Sequence, residues 1–364
     1  MYRLPFADQY TIVEQTTDCE VLPHIDDLEG KSGFVMIPFS DGGEHPVLLI
    51  RPDCVSTHAV GTLPDHPFVE FQLGSQTASA PSRSMQPSDT TSETIPSAAY
   101  ADAFARFHAS LCEGRFDKLV LSRCQSFPYA HDCPTPLQMK SLFHRACLAY
   151  PRMMVYLACV GQDYWLGCTP EILLDGSRSH YRTVALAGTM RADAEAESDR
   201  PALQWDDKNR REQAIVANYI RQVIQPIADV IEEEGPYTSR AGNLLHLKTE
   251  FHFAPSQPFL LCRMIGQLHP TPAVCGLPKS EARQFILHNE GYDRTYYSGV
   301  VGMLQPDAET HLYVNLRCAR FDASGASLYV GGGLLPDSSL TSEWQETRAK
   351  MQTISSLLLP SDRR

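Results

Sequence analysis

A chain of 364 residues is long enough for one large α/β unit or two ordinary domains, and 43% hydrophobic with 20% charged residues points to compact globular packing. The formal net charge of −12 argues against nucleic acid and other polyanionic partners, whose binding needs clustered Lys and Arg. Any small anionic ligand would need local positive charge, or a bound cation, to overcome the overall field.

Met1-Tyr2-Arg3-Leu4-Pro5-Phe6 lacks a basic region followed by an apolar stretch, so no signal peptide is expected. No apolar run reaches the roughly 18–20 residues of a membrane-spanning helix, so no membrane contact is expected and a cytoplasmic location is. The eleven cysteines include no C-x-x-C pair, and Cys159 and Cys262 stand inside apolar runs. They read as small buried residues in a reducing compartment rather than as a zinc site or a disulfide framework.

Residues 1–75 hold short strand-like runs, Phe34–Ile37 and Val47–Ile50 among them, broken by Gly, Pro and Asp. Residues 76–98 are rich in Ser, Thr and Pro and predict a mobile loop dispensable for chemistry. A helix is predicted from Ala99 to Cys112, then strands at Lys118–Phe127, Met153–Val160 and around Trp165–Leu174. Helical period spans 206–234, where Ile215, Tyr219, Val223, Ile227 and Val230/Ile231 make one apolar face. Strands are expected at Tyr297–Leu304, His311–Phe321 and Ser327–Val330, and an amphipathic helix at Leu340–Leu358. Strands in runs, with long helices between groups, predict an α+β fold with largely antiparallel sheets.

In the last helix Glu343, Glu346 and Lys350 share one face that continues into Thr353/Ile354 and Leu357. The pattern suits a solvated ion-pair face, but its continuity with the apolar stripe suits an inward one equally. Gly331-Gly332-Gly333, after a strand, would let backbone N–H groups approach an anion or would simply turn the chain; no Gly-Lys-Ser/Thr follows, so it is not a P-loop. Glu212 heads the stripe of the earlier helix, where a carboxylate is costly unless paired or metal-bound. Glu212 and Glu346 together would offer oxygen ligands suited to Mg²⁺. Lys118 and Glu171 read as exposed strand-end charges; if both are buried, they become candidates for a base and an acid working near neutral pH.

These segments, in this order, resemble the chorismate-utilising enzymes. The blocks are FDKLVLSR (116–123), GCTPEILL (167–174), ALAGTMR (185–191), KNRREQAIV (208–216), LHPTPAVCG (268–276), YYSGVVG (296–302), NLRCAR (315–320) and GGGLLPDSSLTSEWQETRAKM (331–351). The resemblance implies one chorismate-binding domain over 1–364, with a catalytic core at 99–360. It implies an α+β, anthranilate synthase component I-like fold: two stacked, largely antiparallel β-sheets with helices on the outer faces. Chorismate as substrate and Mg²⁺ as cofactor follow. By matching position, Lys118 would activate water for attack at C2 and Glu171 would protonate the departing C4 hydroxyl. Glu212 and Glu346 would hold the metal, with Glu343 as a water-mediated third. Arg317, Tyr297, Lys350 and the backbone at Gly331 and Gly333 would hold the substrate carboxylates, and Gly188, Thr189, His269, Ala273 and Val274 would line the ring. Asn209 and Gln213 depart from the family pattern, replacing an acidic residue and a histidine beside the metal glutamate, which puts metal affinity in question.

Relatives that install ammonia lack a lysine at the position of Lys118, so the resemblance implies water as nucleophile and no glutamine amidotransferase subunit. The PTPAVCG segment resembles isochorismate synthases more than salicylate synthases, which go on to eliminate pyruvate. The implied activity is a reversible isochorismate synthase (an isomerase), serving menaquinone biosynthesis or, alternatively, a siderophore pathway, as a monomer or weak homodimer.

Overall fold

The computed structural model describes residues 1–61, 95–129, 132–192, 204–256 and 260–358. Two nine-stranded sheets carry the fold, and every pairing in both is antiparallel. The first runs, edge to edge, through Gly276–Leu277, Lys118–Pro128, Gly325–Leu334, Cys318–Phe321, Asp163–Thr169, Met154–Val160, Tyr2–Arg3, Gln9–Glu14 and Cys54–Ala59. The second runs through Ile231–Ala241, Leu244–Phe253, His180–Arg191, Ile172–Ser177, Thr310–Val314, Val300–Leu304, Gly33–Ile37, Val47–Ile50 and Glu20–Leu22.

Among the described residues six α-helices lie along them: α1 (Ala98–Cys112), α2 (Pro136–Ala149), α3 (Asp207–Ile224), α4 (Leu261–Leu268), α5 (Lys279–Asn289) and α6 (Leu340–Leu358). Local chemistry starts several of them. Ser97 accepts from the Tyr100 N–H at the head of α1, and Asp206 accepts from the Asn209 N–H at the head of α3. Thr135 and Gln138 form a reciprocal capping box ahead of α2, with Pro136 at the first helical position.

Apolar side chains sort these elements into layers. Phe34, Met36, Tyr156, Trp165, Tyr313 and Tyr329 fill the space between the sheets. Val216 and Ile220 of α3 and Ile265 of α4 cover the outer face of the second sheet against Val35 and Phe251. Phe143 of α2 and Ile354 and Leu357 of α6 cover the first against Leu166 and Leu328. Phe107 of α1, Ile286 of α5 and Trp344 of α6 close on Leu119 and Leu121. The α+β reading and the stacked sheets with outer helices hold.

Several boundaries are corrected. The helix expected over 206–234 stops at Ile224, because Pro226 follows just after the capping Gln225; a proline removes a helical N–H and crowds the preceding turn. Ile227 and Ile231 still pack on the same core, which kept the apolar rhythm going, but Ile231 opens a strand and Val230 is exposed. The single strands expected around Trp165–Leu174 and over His311–Phe321 are each two strands belonging to different sheets. The strand expected from Tyr297 begins at Val300. Helices α2, α4 and α5 and the hairpin Ile231–Ala241/Leu244–Phe253 had no counterpart in the sequence reading. The Ser/Thr/Pro-rich loop lies outside the described residues up to 94, and Ala98 already belongs to α1.

All eleven cysteines are free. Cys262 is buried as expected, whereas Cys159, near the end of its strand, is exposed. Among the described residues no helix is long and apolar enough to cross a membrane.

Candidate active site

The chain changes sheets at two adjacent places, and both carry a charged residue. Pro170–Glu171 links Asp163–Thr169 of the first sheet to Ile172–Ser177 of the second. Asn315–Arg317 makes the return passage from Thr310–Val314 to Cys318–Phe321. The crossings brace one another: the Val314 N–H donates to Glu171 O at 2.9 Å, the Cys168 N–H to Arg317 O at 3.1 Å, and Thr169 Oγ1 to Val314 O at 2.6 Å. Asn315 locks them further, accepting from Tyr156 OH at 2.7 Å and donating to Tyr296 O at 2.8 Å. Arg317 sits at a φ of 49°, a left-handed conformation that a long side chain adopts only when its surroundings impose it.

Glu171 is 2% exposed and receives one side-chain hydrogen bond, from Thr271 Oγ1 at 3.3 Å. Burial pushes its carboxyl up to about 7, against the opposing pull of Lys118, Thr271, Lys350 and Arg317. Arg317, also buried, donates to Thr353 Oγ1 of α6 at 3.4 Å and bonds His246 Nε2 at 2.9 Å. A guanidinium only donates, so His246 Nε2 accepts and its Nδ1 must carry the proton given to Gly188 O at 2.8 Å. Burial, reinforced by Arg317 and Lys350, holds the His246 pKa well below the usual histidine value, which keeps this tautomer neutral.

The glycine triplet lies inside the strand Gly325–Leu334 rather than in a turn, with Gly331 opposite Ser122 and Gly333 opposite Val120. Its absent side chains are places for functional ones. A Cβ at Gly333 would overlap Glu212 Oε1 and come within 2.9 Å of Lys118 Cε. One at Gly332 would lie 3.3 Å from Glu343 Oε2 and 3.5 Å from Glu346 Oε1, and one at Gly331 would lie 2.8 Å from Tyr297 OH. Gly332 and Gly333 thus make room for carboxylates, and Gly331 for the Tyr297 hydroxyl.

Each of those carboxylates meets a lysine. Lys118, with no exposed side-chain surface, lies 2.9 Å from Glu212 Oε1, yet its ammonium makes no hydrogen bond of acceptable direction. Lys350 bonds Glu346 Oε1 at 2.7 Å and Gly331 O at 3.0 Å. Lys208, from the first turn of α3, bonds Glu343 Oε1. Glu343 is fully buried and its Oε2 has no hydrogen-bond partner. Burial and then the neighbouring Glu346 push the Glu343 carboxyl up, while Lys350 foremost outweighs burial to hold Glu346 below the ordinary range. Burial opposes the charge on Lys208, but Glu343, Glu346 and Glu212 together raise its pKa.

One cavity gathers most of this. Its wall takes in Glu171, Gly188, Thr189, Glu212, Ala273, Val274, Tyr297, Arg317, Gly331, Gly333 and Lys350 from the sequence reading. Lys118 stands behind Glu212 and Gly333, and Glu343 and Glu346 against Gly332, all off the wall itself. His269 is corrected: its ring is turned to Pro38 O at 2.8 Å and does not reach the cavity. Asn209 and Gln213 are tied to the bulged strand His180–Arg191. Asn209 Oδ1 accepts from the Thr189 N–H at 3.0 Å; Gln213 accepts from the Ala187 N–H at 2.9 Å and donates to Ala185 O at 3.1 Å. Sequence reasoning missed His246, Lys208 and Thr271 as site residues. Lys208 and Thr271 stood inside quoted blocks, and His246 occupies a polar position of an alternating strand, Leu244–Phe253.

Could these residues hold a cation? Among the described residues no three His, Cys, Asp or Glu side chains sit close enough to do so as they stand. The donor chemistry nevertheless fits: all three candidates are carboxylates, two meet at one glycine, and one presents a buried oxygen with no partner. Ammonium groups now occupy the space beside them.

The sequence pattern of the family described as "Chorismate binding enzyme" matches residues 63–359, most of the chain. This protein belongs to the chorismate binding enzyme family. It is 30% identical over 250 residues (68% of this chain) to the "Salicylate biosynthesis isochorismate synthase" of Pseudomonas aeruginosa. To "Isochorismate synthase MenF" of Escherichia coli it is 31% identical over 256 residues, again 68% of this chain. The chain spans 52% and 57% of the lengths of those two relatives. The solved structure of the menaquinone-specific isochorismate synthase MenF superposes with a TM-score of 0.79 at 22% identity, covering 98% of this chain and 88% of that one. Anthranilate synthase component I of Streptococcus pneumoniae follows with 0.68 at 15% identity, covering 94% and 83%. Membership in this family and the shared architecture make the expected anthranilate synthase-like fold a finding.

Proposed function

We propose that the protein converts chorismate reversibly to isochorismate with a divalent cation, Mg²⁺, as cofactor. The observation that carries the reading is the convergence, at one cavity of a chorismate binding enzyme, of a buried carboxyl held near neutrality on its wall and, behind Glu212 and Gly333, a buried lysine that makes no well-directed hydrogen bond.

In this reading, with the cation holding Glu212, Lys118 would act as the neutral amine: water attacks C2 of the ring, its proton passes to Lys118 Nζ, the ring double bonds shift, and the C4–O bond breaks as Glu171 protonates the leaving hydroxyl. A carboxyl poised at about 7 is still partly protonated near neutral pH, as a general acid there must be. Chorismate carries two carboxylates in an acidic protein, so each needs a local cation. Arg317, held by His246 and Thr353, would bind one as a planar fork. A cation held by Glu212 and Glu346, with Glu343 at its margin, would neutralise the other and polarise the ring substituents. Gly188, Thr189, Ala273 and Val274 would bound the ring and exclude bulk water.

The test is incubation of the protein with chorismate and MgCl₂, with no ammonia source, and separation of the products. Isochorismate, formed to equilibrium from either direction, is expected. Salicylate with pyruvate as the main products would make the protein a lyase instead, and no turnover at any Mg²⁺ concentration would sink the proposal.

A further inference from the structure

The three lysines beside the three glutamates are not alike. Lys118 is enclosed, with no exposed side-chain surface, and Lys350 is anchored twice, to Glu346 and to the carbonyl of Gly331. Lys208 has 21% of its side chain exposed and, among the described residues, bonds only Glu343. It also sits in the first turn of α3, Asp207–Ile224, where the helix dipole disfavours a positive charge. Its position is therefore a local cost, offset by the carboxylates it faces.

We propose that Lys208 is a built-in substitute for the divalent cation: it neutralises the carboxylate site while that site is empty and swings out to solvent when the cation enters. The proposal rests on the reading that Glu212, Glu343 and Glu346 hold the cation. Two buried carboxylates and a third half-buried, with no counter-charge, would be strongly destabilising. Three ammonium groups balance them. A cation of charge two entering beside Lys208 would meet its repulsion, so this lysine must leave, and it is the most exposed of the three, at 21% of its side chain against 14% for Lys350 and none for Lys118. Glu343 Oε2, buried and unpartnered, is the oxygen that the exchange would satisfy.

The probe is Mn²⁺, bound to the substrate-free protein and measured by electron paramagnetic resonance and calorimetry. Lys208→Gln should bind Mn²⁺ about tenfold more tightly, because the competing charge is gone. Lys208→Arg keeps a charge on Glu343 and should bind as the natural protein does. Lys208→Gln should also melt at a lower temperature without metal and gain more from Mn²⁺ than the natural protein, so a variant that folds only with Mn²⁺ supports the proposal too. Equal or weaker Mn²⁺ binding by Lys208→Gln, with binding still abolished by Glu346→Gln, would overturn the exchange while leaving the carboxylate site standing. Absence of Mn²⁺ binding in every form, chorismate present or not, would remove the carboxylate site and the exchange together.

Discussion

At the crossings between the sheets, Glu171 is buried with a single 3.3 Å hydrogen bond and is pushed to about 7, whereas around the glycine strand Glu212, Glu343 and Glu346 are each matched by a lysine. Both regions bury carboxylates, but the balance of terms differs. Where desolvation dominates, the group keeps its proton and becomes a donor. At Glu346 the neighbouring lysines outweigh burial and hold the carboxyl below its ordinary range, whereas at Glu343 burial and the adjacent Glu346 prevail over Lys208 and push the carboxyl up as at Glu171. Two chemistries thus stand side by side, separated by how far counter-charge offsets burial at each carboxylate.

Removing the proton-handling groups should break that contrast most severely. Lys118→Ala and Glu171→Gln should each lower kcat by about 10²–10⁴. Chorismate affinity, measured by calorimetry, should change little if, as proposed, Arg317 and the cation carry the binding. Near-normal kcat in Lys118→Ala would show that the base has been misassigned. A chelator in excess should remove turnover from the natural protein, and returning Mg²⁺ should restore it; full activity in chelator would leave the carboxylates without their proposed role.

The glycines offer a steric route to the same contrast. Gly333→Ala puts a methyl group into Glu212 Oε1 and against Lys118, so that pair must separate, and overpacking of this kind costs about 1–3 kcal/mol. Turnover should fall at least tenfold. Gly331→Ala meets a hydroxyl at 2.8 Å on an aromatic ring that has some room to shift, and should do less. If the two alanines behave alike, room for the carboxylate–lysine pair is not what the triplet provides.

How much of this was legible in the sequence depended on what continued and what broke. Helix α6 matched its expected span, Leu340–Leu358, because an apolar stripe and its polar face run its whole length. The two crossings were missed: Pro170 was a break signal that the reading passed over, and Val314–Cys318 holds neither glycine nor proline, so each pair of strands read as one. His246 was overlooked because its hairpin opens with Glu232-Glu233-Glu234, exposed residues that give no strand signal. Arg317 and Glu171 were found through family resemblance; only the structure supplied the reason they meet, which is that the two crossings hydrogen-bond each other.

Isolation of Glu171 has a signature in stability. Its pKa is raised from 4.5 to about 7 in the folded protein, so the neutral form is the one folding prefers. Below pH 4.5 it is protonated in both states and costs nothing; as pH rises through 7 the folded protein must bury an ionised carboxylate. Glu171→Gln removes that burden. Relative to the natural protein, the variant should gain up to about 3 kcal/mol between pH 5 and pH 8 in urea unfolding. A constant difference across that range would mean that Glu171 is ionised throughout, which would exclude it as the acid.

Asn209 should give the smallest effect and the sharpest test of what a departure from the family pattern means. Its carbonyl oxygen accepts from Thr189 N–H where the strand His180–Arg191 bulges, and its own amide donates to Asp206 Oδ1 at 2.9 Å. Gly188, at a φ of 69°, sits against Asn209 Cβ, where an added methyl would come within 3.2 Å. The side chain therefore acts as a strut between α3 and the bulge that carries Gly188 and Thr189, and the bulge is what brings both to the cavity wall. The bond to Thr189 is worth about 0.5–1.5 kcal/mol and the exposed one to Asp206 adds less, so Asn209→Ala should lose about that much in unfolding free energy. Asn209→Asp keeps the acceptor for Thr189 but loses the donor to Asp206 and sets two carboxylates together, so it should recover only part of it. Neither should change Mn²⁺ affinity more than about twofold, since the oxygen is spent on the backbone and points at no carboxylate of the site. A tighter Mn²⁺ complex in Asn209→Asp would reverse that assignment, placing position 209 among the groups that set metal affinity and making the natural asparagine a weakening substitution.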